Sequence, residues 1–159
     1  MKIKINELSA FLYKASQFGY ATGRYKDWVK EEDSSTTIYY KDDNWKMSDN
    51  FFGGEPFGGR TVVFYKNKPV WVMVYYGFIK EDVNQPIEKV YKFLQSALSM
   101  VPKEFPLRGP KEYTKNNFVY QNTWKGEISQ YFGKEKILLE GNLIYRAYYL
   151  GGLVNLRSG

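Results

Sequence analysis

The chain has 159 residues, a formal charge of +6, and 15 Tyr, 11 Phe and 4 Trp, but no cysteine and no histidine. Its length is that of a single domain spanning 1–159, which buries about 70% of the surface its unfolded chain exposes. The missing side chains exclude disulfides, thiolate zinc sites, cysteine nucleophiles and any triad whose base is histidine.

The longest apolar run, residues 70–76, falls far short of the ~20 residues needed to span a bilayer, and a cysteine-free chain fits a reducing compartment. The expectation is a soluble cytoplasmic protein with no membrane partner. Residues 1–50 balance eight basic side chains against eight acidic ones, so residues 51–159 carry the surplus charge. No linear Lys/Arg cluster marks a nucleic-acid arm, and nucleic acid is not expected as a partner of the domain by itself.

Residues 6–19 read as a helix, with Asn6 as cap, Leu8, Phe11, Leu12, Ala15 and Phe18 at helical spacing, and Gly19 as terminator. The stretch GYATGRYKDWVKEEDSS is a polar connection. Residues 36–40 and 45–47 form a hairpin around KDDN. RTVVFY and VWVMVYYGFI form a second hairpin around KNKP, and the apolar character of both faces of residues 70–76 marks a central, covered strand. A second helix opens near Asn84 or Gln85, with Pro86 in its first turn and a stripe through Ile87, Val90, Tyr91, Leu94, Ala97, Leu98 and Val101. After the crossover PKEFPLRGP, a meander follows with turns at Lys125–Gly126, Gly133–Lys134 and Gly141–Asn142. No internal repeat is visible. The expected fold is α+β, with two helices packed on a bent antiparallel sheet of six or seven strands.

The segment FFGGEPFGGRTVVFY asks for a decision. GEPFGGRT approaches the phosphate-loop pattern G-x-x-x-x-G-K-[ST], but Arg60 stands in place of lysine. The β-branched run after it enters a strand rather than the helix such a loop needs. The glycines at 53, 54, 58 and 59 are expected to supply positive-φ positions for a bulged corner, bent by Pro56. Glu55 and Arg60 then form either a structural clasp or part of a binding site.

The candidate ligand-binding set is Gly54, Glu55, Gly58, Arg60, Trp71 and Tyr75. These residues would serve a small-molecule binding or sensing domain whose site lies near the glycine loop and the aromatic hairpin. The alternatives are a homodimeric interaction or regulatory domain that pairs through an uncovered sheet face, and a carboxylate-dependent enzyme. For the enzyme, the acid/base candidates are Glu55, Asp49, Asp27 and the acids at 31–33. No residue is assigned a catalytic or metal-ligating role, and no cofactor is expected.

The string DNFFGGEPFGGRTVVFYKNKPVWVMVYYG resembles the signature of the bacterial and archaeal domain-of-unknown-function family 5680. ELSAFLYKASQFGYATG, VYKFLQSALSMVPKEFPLRGPKEY and GGLV extend the resemblance over essentially the whole chain. It implies a stand-alone domain that in some relatives follows a helix-turn-helix segment, which points to sensing or regulation there. No such segment is expected here, because the domain begins at residue 1. In the family a histidine often precedes the final glycine pair. Leu150 takes that place here, so an activity that rested on that histidine would be missing. The family itself implies no activity.

Overall fold

The computed structural model describes residues 3–19 and 27–155. Among the described residues, two helices, α1 (Ile5–Ser16) and α2 (Ile87–Leu98), accompany nine strands. The strands are β1 (Val29–Lys30), β2 (Thr36–Asp42), β3 (Trp45–Gly53), β4 (Phe57–Tyr65), β5 (Lys68–Ile79), β6 (Glu112–Lys115), β7 (Phe118–Glu127), β8 (Gln130–Leu139) and β9 (Asn142–Leu153). They form one antiparallel sheet in the order β1-β2-β3-β4-β5-β9-β8-β7-β6.

The sheet therefore has nine strands rather than six or seven. Short edge strands at both margins account for part of the difference. The turn expected at Gly133–Lys134 does not exist, because Gly133 lies inside β8. A Cβ there would come within 2.2 Å of the Tyr149 ring, so this glycine serves a close approach and not a bend. Helix α1 starts one residue before Asn6, whose side chain accepts from the Glu7 amide rather than capping the helix. The connection expected over residues 19–35 lies partly outside the described residues.

β5 does sit fifth of nine. Its inward residues Trp71 and Met73 are buried, but outward Val74 and Tyr76 are 42% and 51% exposed, so one face of the central strand is uncovered.

The sequence shows no repeat, yet the chain folds as one unit used twice. Each half is a helix followed by an antiparallel meander, and the last strands of the two halves, β5 and β9, pair at the centre. The details recur. The β4–β5 hairpin has a register shift between Val63 and Phe64, and β8–β9 has one between Ile137 and Leu138. Their turns carry positive φ at Lys66 and Asn67, and at Glu140 and Gly141. Asp43 and Asn116 turn the β2–β3 and β6–β7 hairpins, and Gly53 and Gly126 the β3–β4 and β7–β8 hairpins, all with positive φ. Glycine is required at the last two, where a Cβ would lie 2.3 Å and 2.1 Å from the carbonyl oxygens of Pro56 and Gln130.

Each helix covers its own half. Leu8, Phe11, Leu12 and Ala15 of α1 pack with Met47, Val63 and Trp71. Val90, Phe93, Leu94 and Ala97 of α2, at the same spacing, pack with Phe118, Tyr120, Ile137 and Tyr145. Both helices lie on one face of the sheet, and the crossover 99–111 threads between them to deliver Phe105, Leu107 and Arg108 to the middle.

Candidate functional site

Strand alternation sends every second residue of β3, β5, β7, β8 and β9 toward the helices. Several of these inward residues are polar, and in the second half they satisfy one another. Glu135 of β8 is 2% exposed and accepts from Nε and Nη2 of Arg108, from the Tyr120 hydroxyl at 2.6 Å and from the Tyr145 hydroxyl at 2.9 Å. Asn122 donates to the Gly109 carbonyl at 2.9 Å and accepts from Tyr149. Gly109 donates its amide to the Tyr120 oxygen. Such a network rigidifies the core when every member has a partner.

In the first half the corresponding position is open. Asp49 of β3 accepts from Tyr75 at 2.8 Å and from Thr61 at 2.9 Å, both at Oδ1. Oδ2 takes no hydrogen bond among the described residues, and neither does Nη1 of Arg108. Asp49 and Arg108 do not close an ion pair with each other. Burial pushes the Asp49 carboxyl above the usual carboxylate range, against the opposing pull of its two hydroxyl donors and of Arg108. Burial also raises the Tyr75 hydroxyl well above its ordinary value, and Asp49 adds to that.

Both groups face a cavity of about 190 Å³ walled by Trp28, Phe51, Phe57, Tyr75, Tyr91 and Leu94, with Gly53 and Gly54 at its rim. A second cavity of about 110 Å³, toward α1, shares Asp49 and Arg108 and is bordered by Thr61, Trp71 and Met73. An apolar 150 Å³ cavity holds a benzene-sized guest, so the larger space suits about one ring with a polar substituent. Arg108 itself has a left-handed backbone, φ +62°. Its guanidinium lies over the Tyr75 ring, 5.8 Å from the centroid.

The six residues expected from sequence separate. Gly54 and Tyr75 line the larger cavity, and Trp71 borders the smaller one while its indole donates to the Ile128 carbonyl at 2.9 Å. Glu55 is a clasp, but not with Arg60: it accepts from the Ile79 amide at 2.7 Å and from the Tyr91 hydroxyl, which ties the corner to β5 and α2. Arg60 is exposed on the opposite face of the sheet, and a Cβ on Gly58 would meet the outward Tyr76 ring. Of the four corner glycines only Gly53 has positive φ. Gly59 is needed for space, since a Cβ there would lie 2.4 Å from the Asn50 carbonyl oxygen.

Residues 60–63, which follow the glycine pairs, are strand and not helix. The family described as a domain of unknown function, DUF5680, matches residues 49–154. The chain belongs to that family. No curated protein and no solved structure matches it. The DUF5680 match begins at Asp49 and takes in every cavity residue named above except Trp28. Among the described residues of this DUF5680 domain, no helix is long and apolar enough to cross a membrane, and no cluster of His, Cys, Asp or Glu is arranged to hold a metal.

Proposed function

We propose that the domain binds a small, flat organic molecule in the cavity between the glycine corner, α2 and Arg108, and works as a binding or sensing module of the cytoplasm. The observation that carries this reading is the pairing of two uncommitted polar atoms, Asp49 Oδ2 and Arg108 Nη1, at an otherwise aromatic cavity. Both residues are half-buried, and a ligand that displaces water from these two atoms replaces its hydrogen bonds with its own. The donor and acceptor set fits a single-ring compound bearing an amide or lactam edge, whose oxygen accepts from Arg108 and whose N–H donates to Asp49.

The test is a heteronuclear NMR titration with benzamide, together with native mass spectrometry of protein purified from its own host. The expected result is a saturable set of shifts around Tyr75 and Gly54. Asp49→Asn should weaken it, because that change can turn an acceptor into a donor. No co-purifying species and no localised shifts would overturn the reading.

A further inference from the structure

The opposite face of the sheet carries a second, independent feature. Cross-strand register aligns Phe52, Gly58, Tyr76, Tyr148 and Lys134 in one row across β3, β4, β5, β9 and β8. The next row runs Arg60, Val74, Leu150, Phe132 and Lys125, and a third aligns Phe78, Arg146 and Lys136. Phe52, Tyr76, Phe132 and Tyr148 are between 44% and 59% exposed. The outward positions of β5, β9 and β8 hold no acidic residue. Toward β7 the surface hollows into a cleft of about 700 Å³, lined by Thr123, Lys134, Lys136, Arg146 and Tyr148 among others. Cations scattered along the chain are thus collected on one face by the two-residue period of strands and the pairing of neighbours.

We propose that this face binds single-stranded nucleic acid, with the exposed rings stacking on bases and the flanking lysines and arginines meeting phosphates. Charge selects the class of partner. A polyanion is attracted, whereas a second copy of the chain would bring like charge against like. The rings select the form. Each base offers a flat face to an aromatic side chain only when it is unpaired, and a broad sheet face cannot enter a duplex groove that admits one helix or a two-stranded ribbon.

The experiment is fluorescence anisotropy with labelled oligothymidylate and oligouridylate of ~12 nucleotides, between about 50 and 200 mM salt. Heparin, a duplex of equal length and phosphatidylglycerol vesicles serve as competitors. Single strands should bind with a salt-dependent affinity. Lys134→Glu with Lys136→Glu should reduce the slope of log K against log salt by about 1.4. Tyr76→Ala with Tyr148→Ala should weaken binding about ten-fold or more at an unchanged slope. Circular dichroism and benzamide titration of the same variants confirm that the inner face is intact. Binding unaffected by loss of the rings, preference for heparin, duplex or vesicles, or a dimer in sedimentation that buries this face would each overturn the proposal.

Discussion

Asp49 and Asn122 hold corresponding places in the two halves of the sheet, and each accepts a hydrogen bond from a tyrosine two strands away, Tyr75 at 2.8 Å and Tyr149 at 2.7 Å. The amide is closed off by the Gly109 carbonyl, while the acid keeps one oxygen for the cavity. The same scaffold position thus does structural duty in one half and faces the cavity in the other.

Asp49→Asn should therefore fold, since its counterpart already uses an amide there. Burial holds the Asp49 carboxyl above its unfolded value. The stability this contributes is complete below the unfolded carboxylate range and is lost as pH rises through the folded pKa, because the unfolded chain ionises first. The variant should be at least as stable as the parent at neutral pH, with a flatter profile from the unfolded carboxylate range of about pH 4 upward. Urea unfolding across that range measures it, and a variant clearly weaker at neutral pH would refute the argument.

Glu135→Gln should be among the most damaging conservative changes in the chain. It leaves Arg108, whose side chain is 12% exposed, without its counter-charge, and it disturbs two tyrosine hydroxyls. Breaking such a buried pair costs about 3–5 kcal/mol. Chemical denaturation at neutral pH tests it, and a loss below about 1 kcal/mol would show that water reaches Arg108.

Tyr131→Phe should stabilise the protein. The Tyr131 hydroxyl is buried without a hydrogen-bond partner among the described residues. The first half places Phe57 at the corresponding position, at the same step from its hairpin. Removing an unsatisfied buried hydroxyl recovers about 1 kcal/mol, which thermal unfolding would register as a higher midpoint.

Alkaline unfolding should be steep. Burial holds the hydroxyls of Tyr75, Tyr120, Tyr131, Tyr145 and Tyr149 protonated beyond the ordinary range. Below about pH 10 both states keep these protons. Above it the unfolded chain alone releases them, and each tyrosine lowers stability by up to about 1.4 kcal/mol per pH unit. The share of tyrosinate absorbance that these five hydroxyls contribute should rise in one cooperative step together with loss of structure.

Both helices were legible in the sequence because sets such as Leu8, Phe11, Leu12 and Ala15 carry a helical period, and the second hairpin because β-branched and aromatic runs flank the turn residues KNKP. Gly133 misled because a packing glycine and a turning glycine look alike until the ring above it is known. The duplication was hidden because what repeats is turn geometry and bulge position, held by Asp43 in one half and Asn116 in the other, with little identity between them. The cavity was half visible. Gly54 and Tyr75 lie in a conspicuous motif, but Arg108 comes from a proline-rich crossover far along the chain, and only the tertiary path brings it to Asp49.

The position of β9 has a consequence for how the protein is made. At ribosomal speed, the interval between completion of β5 and completion of β9 is roughly 4–15 s. For that time the N-terminal half has a finished helix and meander whose last strand, later the middle of the sheet, shows a bare hydrogen-bonding edge. Residues 142–153 are thus the segment whose delay or loss would expose nascent chains to pairing with one another. A missense change that slows the docking of β9 should lower the yield of soluble protein well before it lowers the melting temperature of the molecules that mature.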